Sequence, residues 1–432
     1  MSRDTLQCDV IIVGGGLVGS TLAHALAQLP IRTVLVEERD PGRLAQPSFD
    51  DRATALANGS QRILRGLGLW PELAAAAEPI QSIHVSERGR FGASRICAAE
   101  EGVAALGYTL ENRVLGRALW ARLPAHDALV CLAPARLDAL AIDESGVGAR
   151  IESGDRRLAV RAKLIVAADG VGSPVRKALG IGAQEDAYAH RAVIVNCETE
   201  VAHAGRAFER FTPTGPLAFL PLRESRVAVV WTLAPAQARR IAELADTAFR
   251  AELQRAFGYR LGRIERVGSR VGYALRRVRS AVVTARRAVL VGNAAVSLHP
   301  VAGQGFNLAL RDVAALAELL SDAHCRQDGA DAGAPTLLQR YRAWRLADQR
   351  RVARFTHGLV RLFGYDIGLL AVTRGLGLMA FDVLPGAKGR LARHTMGLTG
   401  RLPRLARGLP LPGAGAALER PDAVRSRSPA GS

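Results

Sequence analysis

The stretch CDVIIVGGGLVGSTLAHALAQLPIRTVLVEERD, residues 8–40, decides the fold because it contains a complete strand–helix–strand unit. Val10 to Val13 form an apolar run, glycines follow, a helical segment extends to about Gln28, and Thr33 to Val36 form a second apolar run. Short, continuously apolar strands joined by a helix are typical of parallel strands that are buried on both faces. The stretch therefore predicts an α/β fold with a Rossmann-like sheet.

The glycines of this stretch have the spacing Gly-x-Gly-x-x-Gly. Gly14 permits the tight turn, Gly16 lets the backbone approach a pyrophosphate, and Gly19 lets the helix pack closely on the strand. The helix N-terminus favours phosphate charge. Glu37 ends the second strand, where a carboxylate accepts hydrogen bonds from a ribose and disfavours a 2′-phosphate. These residues predict a site for FAD or NAD, and the alternative is a glycine-rich turn without a ligand.

A second strand–turn–helix unit is AKLIVAADGVGSPVRKALGI, residues 162–181. Asp169 and Gly170 lie at its turn, and Arg176 follows one turn into the helix. The unit is consistent with a second nucleotide contact. An ordinary strand-to-helix turn with an Asx or Ser cap is the alternative.

The third unit is VLVGNAAVSLHPVAGQGFNLALRDVAALAELL, residues 289–320. A strand is predicted at 288–291 and a helix from Phe306 to Leu320, with one apolar face formed by Leu308, Val313, Leu316 and Leu320. Gln304 and Gly305 place backbone N–H groups at the positive end of that helix, which would stabilise an electron-rich ring.

Length and cysteine content restrict the class of protein. With 432 residues and 49% hydrophobic content, the chain has material for two or three domains. Its five cysteines contain no CxxC pair, so neither a zinc site nor a disulfide framework is indicated, and a reducing compartment is expected. The N-terminus lacks the features of a signal peptide, so we expect a cytoplasmic location.

The formal charge of +18 comes almost wholly from arginine. Aromatic residues make up only 5% of the chain and no nucleic-acid motif is present, so nucleic-acid binding is not predicted. The arginine content is consistent either with genomic base composition or with attraction to an anionic membrane surface.

Four longer strings extend the pattern: FDDRATALA, ALGYTLENRVLGRALWARL, GRAFERFTPTGPLAFLPL and GNAAVSLHPVAGQGFNLALRD. With the three units above, they resemble the FAD-dependent aromatic hydroxylases of the 4-hydroxybenzoate hydroxylase class over residues 8–385. The resemblance is strongest to the ubiquinone-biosynthesis branch, specifically its polyprenyl-methoxyphenol hydroxylases. In the wider class the last motif has Asp and His where this chain has Asn293 and Val296, and the shifted His299-Pro300 pair is similar to that branch.

The resemblance implies FAD as the cofactor and gives roles to individual residues. The ADP half of FAD would be held by Gly14, Gly16, Gly19 and Glu37, and the pyrophosphate and ribityl region by Arg113, Asp169 and Asn293. The edge of the isoalloxazine ring would be wrapped by Gly303, Gln304, Gly305 and Asn307.

Two further residues are implied as catalytic. Arg52 lies on the segment that passes beside the flavin in the class, where a guanidinium would orient FAD or the nicotinamide donor; a solvated surface arginine is the alternative. His299 would line the substrate cavity, and a structural histidine is the alternative.

No metal cluster, Ser-His-Asp order or spaced carboxylate pair is evident, so the cofactor would carry the difficult step. By resemblance, NAD(P)H reduces FAD, O₂ forms a C4a-hydroperoxyflavin, and the distal oxygen is transferred to an electron-rich polyprenylated methoxyphenol in ubiquinone biosynthesis. No second dinucleotide fold is evident, so NAD(P)H binding would be transient. The alternatives are a related flavin hydroxylase acting on a small soluble aromatic acid and a catalytically silent flavoprotein scaffold.

The resemblance also implies the domain organisation, with a mixed β-sheet substrate domain and C-terminal helices. Residues 1–79, 99–187 and 276–340 would form a discontinuous FAD-binding domain and residues 341–408 a helical region. Strand-like runs in residues 188–275 are interpreted, together with residues 80–98, as a substrate-covering sheet, and a merely stabilising layer is the alternative. Residues 409–432 are rich in Pro, Gly, Ala and Ser and are expected to form a disordered tail.

The apolar segment 358–386 contains charged residues that prevent it from crossing a membrane comfortably. It would lie on the inner face of the cell membrane or bind a partner, such as a ubiquinone-biosynthesis complex, with basic residues nearby at Arg390, Arg393, Arg401, Arg404 and Arg407. Packing into the core is the alternative.

Overall fold

The computed structural model describes residues 5–42, 52–123, 128–297, 303–327, 330–364 and 386–414. The strands are β1 Thr5–Gln7, β2 Val10–Val13, β3 Thr33–Val36, β4 Ala53–Ala57, β5 Glu78–Ile80, β6 Ser82–Glu87, β7 Ala93–Cys97, β8 Gly107–Glu111, β9 Leu129–Leu132, β10 Arg136–Ile142, β11 Val147–Ser153, β12 Arg156–Ala162, β13 Leu164–Ala167, β14 Ala183–Thr199, β15 Arg206–Thr212, β16 Gly215–Pro221, β17 Arg226–Leu233, β18 Ile264–Val267, β19 Val271–Ser280, β20 Thr284–Ala285, β21 Ala288–Leu290 and β22 Val296–Ser297. The helices are α1 Leu17–Ala27, α2 Asn58–Gly66, α3 Trp70–Ala74, α4 Asn112–Arg122, α5 Pro174–Ala178, α6 Pro235–Glu243, α7 Asp246–Phe257, α8 Gln304–Arg326, α9 Pro335–Gly364 and α10 Ala387–Thr395.

The sheet predicted from residues 8–40 is present and has the order β20-β21-β13-β2-β3-β9. Its five strands from β21 to β9 are parallel, and β20 adds an antiparallel edge. The strand order reverses beside β2, so loops that leave β2 and β13 at their carboxyl ends diverge and leave a crevice. The predicted Rossmann-like fold is confirmed.

Both faces of this sheet are buried, which explains why its strands are apolar at every position. Alternate side chains such as Ile12 and Val166 pack on the layer that contains α1, α4 and α8. Their neighbours, such as Ile11 and Ile165, pack on an antiparallel layer formed by β10, β11 and β12. The strands are therefore held between two layers, and their carboxyl ends are fixed in position.

Helix α8 differs from the single apolar face that the periodicity predicts. It begins two residues earlier than predicted, at Gln304, and is buried on most sides along Leu308 to Leu320. The reason is that α8 packs against α1, α2 and α9 at once. The small residues Ala309, Ala314 and Ala315 allow these close approaches.

The predicted strands between the FAD-related segments belong to one nine-stranded sheet, with the order β22-β19-β14-β17-β16-β15-β6-β7 and β18 paired to β14. One face packs on α6 and α7 through an aromatic core that includes Phe219 and Phe257. The opposite face, named here the inner face, packs near β4 and α10 through a small cluster that includes Ala207 and Met396. The domain boundaries given by the sequence stay predictions.

The C-terminal region corrects one expectation. Residues 409–414, assigned by composition to a disordered tail, pack against α8: Leu411 is buried, and Ser321 Oγ donates a hydrogen bond to the Pro412 carbonyl. Composition missed this because one buried leucine among prolines and glycines anchors the segment. Most of the apolar segment 358–386 lies outside the described residues. Across the described helices, none combines the length and apolar character that a membrane span requires.

Candidate functional site

Three backbone turns meet at the carboxyl edge of the parallel sheet. Gly14, at the end of β2, has φ +99°, and an added Cβ would lie 2.5 Å from the Ala168 carbonyl oxygen at the end of β13. At the end of β21, a Cβ on Gly292 would lie 3.1 Å from the side chain of Val18 in α1. The three glycine-containing turns of the sequence analysis therefore lie side by side around the start of α1.

The N-terminus of α1 is exposed to this crevice without a side-chain cap. Gly16 is its N-cap residue, with φ −62° and ψ −174°. A Cβ on Gly19 would lie only 1.8 Å from the Gly14 carbonyl oxygen, so Gly19 is required by the packing of the turn on the helix. The first N–H groups of α1 are consequently available to an anion.

Glu37 closes the glycine turn from the end of β3. Its Oε2 accepts a hydrogen bond from Gly15 N at 2.6 Å, and its Oε1 accepts one from Arg39 N at 3.0 Å. Trp120 of α4 donates from Nε1 to the Gly15 carbonyl at 2.8 Å. The carboxylate predicted to bind a ribose is thus fixed beside the turn, and Trp120 is a supporting residue that the sequence analysis missed.

Asp169 follows β13 and lies against Gly14. Its Oδ2 accepts a hydrogen bond from Val175 N at 3.0 Å, whereas its buried Oδ1 has no hydrogen-bond partner among the described residues. Burial raises the pKa of Asp169, while Ser173 and Arg176 oppose that increase. A buried oxygen without a donor in this position suits a hydroxyl or N–H group of a ligand.

Arg176 connects two of the turns. It is buried and donates hydrogen bonds to the carbonyls of Ala294, at 2.9 Å, and Val171, at 2.8 Å. The guanidinium therefore fixes the turn after β13 to the turn after β21. The sequence could not predict this bridge, because a basic residue one turn into a helix is common and does not identify its partners.

Asn293 and Arg113 are the two further residues predicted to contact the pyrophosphate and ribityl region. Asn293 is exposed on the short 3-10 turn Gly292–Ala294, directly after β21. Arg113 is the second residue of α4, and its Nη2 lies 3.2 Å from Glu111 Oε2. Because Arg113 precedes Trp120 by about two helical turns, it is on the same side of α4 as the glycine turn.

The turn before α8 is supported by β4. Gly303 has φ +59°, and a Cβ on it would lie 3.4 Å from Ala55 Cβ. Asn307 donates from Nδ2 to the carbonyls of Ala55 and Gly303, and its Oδ1 accepts from Ala57 N at 2.8 Å. The side chain of Asn307 therefore positions the turn, while Gly305 faces open space. The cofactor contact predicted for Gly303 to Gly305 stays a prediction.

The two residues predicted as catalytic have different outcomes. The Arg52 guanidinium lies 4.7 Å from the ring centroid of Tyr273, which is on the inner face of the nine-stranded sheet. Arg52 thus lies where β4 approaches the inner face, and its catalytic role stays a prediction. His299 lies outside the described residues.

This arrangement fits FAD. It combines an uncapped helix N-terminus, an Asp169 oxygen without a partner among the described residues, and a second glycine turn at the start of α8. The first two suit the pyrophosphate and ribityl hydroxyls, and N–H groups at the start of α8 suit a ring that carries negative charge.

Comparison with known proteins agrees with the geometry. The FAD binding domain family model matches residues 7–356. The ubiquinone hydroxylase UbiL of Rhodospirillum rubrum is 42% identical over 406 residues, 93% of each chain. The 3-demethoxyubiquinol 3-hydroxylase of Escherichia coli is 32% identical over 394 residues, 90% of this chain and 98% of that protein. The p-nitrophenol 4-monooxygenase PnpA of Pseudomonas putida has a similar fold, with a TM-score of 0.75 at 18% identity over 92% of this chain and 100% of PnpA.

Proposed function

The chain belongs to the family of FAD-dependent aromatic hydroxylases, and from this premise we propose that it hydroxylates the ring of a polyprenylated methoxyphenol in ubiquinone biosynthesis. Two relatives named above are ubiquinone-pathway hydroxylases that align with at least nine-tenths of the chain. Electrons come from NAD(P)H and the oxygen atom from O₂, as is general for such monooxygenases.

One structural observation carries the choice of an apolar ring as substrate. Ala55 of β4 contacts the Gly303 turn on one side and packs on the inner-face cluster around Ala207 on the other. The inner face next to this cluster consists mainly of half-buried apolar side chains, such as Leu220 and Val230. An aromatic ring with an apolar substituent suits a surface of this kind.

We assign the residues of the crevice to FAD by their positions. The start of α1, with Gly16, would bind the pyrophosphate, and Glu37 the adenosine ribose; Asp169, Arg113 and Asn293 would contact the pyrophosphate and ribityl chain. The backbone at Gln304 and Gly305 would donate to the pyrimidine edge of the flavin. When bound, FAD supplies the transfer of electrons from NAD(P)H to O₂ and of oxygen to the ring. The chain's own contribution is orientation and the exclusion of water.

The proposal predicts which ring stimulates turnover. With FAD-loaded protein, a short-chain prenylated methoxyphenol should accelerate the oxidation of NADH or NADPH and be recovered with one added hydroxyl group. A small aromatic acid such as 4-hydroxybenzoate should do neither. Hydroxylation of the acid alone would identify the chain as a hydroxylase of small soluble acids, and oxidation that no ring accelerates would overturn the proposed activity.

We further propose peripheral contact with a membrane, or with a ubiquinone-biosynthesis complex on it, because a polyprenylated phenol is almost insoluble in water. Arg390, Arg393, Arg401 and Arg407 are exposed around α10 and the segment that follows it. Each basic side chain near an anionic surface contributes about 1 kcal/mol of attraction.

The membrane proposal predicts sedimentation of the protein with phosphatidylglycerol vesicles at low salt, reduced by high salt and absent with phosphatidylcholine vesicles. The double variant Arg390→Glu and Arg393→Glu should weaken this binding. The control is Arg239→Glu with Arg240→Glu, which reverses two exposed arginines on α6. Equal binding by both double variants would contradict a specific surface at α10.

A further inference from the structure

Glu209 is an acidic residue on the inner face of the nine-stranded sheet. Its neighbour in β15, Phe208, points to the opposite face, where its ring packs on Phe257 of α7 with 5.3 Å between centroids. Arg210 also points to that face and donates to the Ala256 carbonyl at 3.2 Å. Because side chains alternate along a strand, Glu209 points to the inner face, toward β4.

The cross-strand neighbours of Glu209 are apolar. Val85 of β6 and Ala218 of β16 lie directly opposite it, and the same row continues through Val230 of β17 to Ile194 of β14. All four are half-buried and keep some access to solvent. The carboxyl group thus lies in a row of apolar side chains that each keep partial exposure.

One oxygen of the Glu209 carboxyl group lacks a donor among the described residues. Its Oε1 is buried and has no hydrogen-bond partner among the described residues. Burial raises the pKa of Glu209 to about 7. A buried carboxyl oxygen without a donor is unfavourable for folding, and a ligand that donates a hydrogen bond to it would remove this cost.

A contact two residues from Glu209 places this end of the row near β4 and the predicted flavin region. Two residues before Glu209, Ala207 belongs to the cluster on which Ala55 packs, and Ala55 contacts the Gly303 turn. Tyr273, which contacts Arg52, lies in the adjacent row but four strands away, on β19. Glu209 therefore lies two residues along β15 from the place where the inner face meets β4.

Two charged groups on this side, Glu87 and Arg52, have partners. Glu87 of β6, in the adjacent row, lies 3.4 Å from Arg90, and the Arg52 guanidinium is stacked on Tyr273. Burial alone accounts for the raised pKa of Glu209, so neither of these charges dominates its ionisation.

We propose that Glu209 binds the phenolic hydroxyl of the substrate ring and thereby selects a neutral phenol over an anionic aromatic acid. This inference rests on the proposed function, since it requires a phenol as substrate. The hydroxyl donates its hydrogen bond to Oε1, the oxygen that lacks a donor. A carboxylate on the ring would instead be repelled in this apolar setting.

The same contact provides a route for the phenolic proton. As the ring is oxygenated, the phenolic O–H bond breaks, a carboxyl O–H bond forms at Glu209, and the negative charge moves to the phenolic oxygen. The electron pair left on that oxygen increases the electron density of the ring. A general base works best when its pKa is near the operating pH, and the raised pKa of Glu209 meets this condition.

The test is calorimetric binding to the FAD-loaded full chain without NAD(P)H, which needs no turnover. The probes are a short-chain prenylated methoxyphenol, its methyl ether, and the analogue with a carboxylate in place of the hydroxyl. The wild type should bind the phenol about tenfold or more tightly than the ether at pH 8 and bind the acid undetectably. Affinity for the phenol should increase from pH 6 to pH 8, because the ionised carboxylate is the better acceptor.

Glu209→Gln should bring the phenol and ether affinities within about threefold, remove their pH dependence and strengthen binding of the acid. Glu265→Gln, which changes an exposed carboxylate on β18 of the same sheet, should behave like the wild type. A Gln variant that keeps the preference and the pH dependence overturns the assignment. If that variant does not fold, the wild-type comparison decides: equal affinity for phenol and ether overturns it. A wild type that hydroxylates the phenol but binds the phenol and its methyl ether equally refutes only the role proposed for Glu209. A wild type that neither binds nor hydroxylates any prenylated phenol refutes the proposed function.

Discussion

A Gly16→Val variant is expected to purify as a folded protein that has lost FAD. Gly16 is the N-cap of α1, and its φ of −62° and ψ of −174° are accessible to valine, so the backbone of the turn tolerates the change. The added methyl groups would occupy the space through which a pyrophosphate bound as proposed would approach the first N–H groups of the helix. Loss of one or two such charge-assisted hydrogen bonds, about 1.5–3 kcal/mol each, weakens FAD affinity on the order of 100-fold.

The measurement is the flavin absorbance of purified protein together with its circular dichroism. Gly182→Val is the matched control, because Gly182 is exposed and a Cβ there meets nothing within 4 Å. Gly19→Val should behave differently and impair folding, since its Cβ would collide with the Gly14 carbonyl. A stoichiometric yellow cofactor in the Gly16 variant would contradict the assignment of the crevice.

Arg345→Met is expected to cause a large decrease in the free energy of unfolding. Arg345 is 1% exposed; its Nε lies 2.6 Å from Asp312 Oδ1 and its Nη2 lies 2.7 Å from Asp348 Oδ2. Methionine would leave the Asp312 carboxylate buried without its cation, which costs about 3–5 kcal/mol of the free energy of unfolding. Because Asp312 belongs to α8, the loss also loosens the helix that carries the Gly303 turn at its start.

Denaturant unfolding of the FAD-loaded protein measures this effect. Arg342→Met, an exposed position on the same helix, should change the free energy of unfolding by less than about 0.5 kcal/mol. The double variant Arg345→Met with Asp312→Leu should recover part of the loss, because it removes the stranded charge. A single Arg345 variant as stable as the wild type would show that the ion pairs of Arg345 with Asp312 and Asp348 do not stabilise the fold.

The ion pairs of Asp348 with Arg345 and Arg311 also make the stability of the fold depend on pH. Burial raises the pKa of Asp348, but Arg345 and Arg311 outweigh it and lower that pKa from 3.8 to about 2. A carboxyl whose folded pKa is depressed contributes stability above its unfolded pKa and loses it as the pH falls through the folded value. The contribution of Asp348 is therefore lost between about pH 4 and pH 2.

The elements that the sequence predicted well are those with local signals. The runs around Val10, Leu164 and Val289 are apolar at consecutive positions because both faces of the sheet are covered, and each is followed by a glycine turn. An apolar run of this kind followed by a glycine-rich turn and a helix strongly favours a strand–turn–helix unit of a parallel sheet. This explains why the Rossmann-like sheet could be predicted from the sequence, whereas the roles of the crevice residues at its edge stay predictions.

The features that were missed depend on partners distant in sequence. Trp120 meets Gly15 across 105 positions and Arg176 meets Ala294 across 118, and no local pattern encodes these pairs. Glu209 was overlooked because RAFERFT does not alternate cleanly between polar and apolar residues. The face of the sheet to which Glu209 points depends on which side of β15 packs on α7, and only the packing of Phe208 on Phe257 shows this.

The central claim is that this chain inserts one atom of O₂ into the ring of a prenylated phenol. The most direct test is turnover of a short-chain prenylated methoxyphenol by FAD-loaded protein under ¹⁸O₂, with mass spectrometry of the product. We expect one new hydroxyl group per product, labelled from ¹⁸O₂ and unlabelled when the label is in water. An unmodified ring with all the oxygen recovered as hydrogen peroxide, or a hydroxyl oxygen that comes from water, would contradict the account.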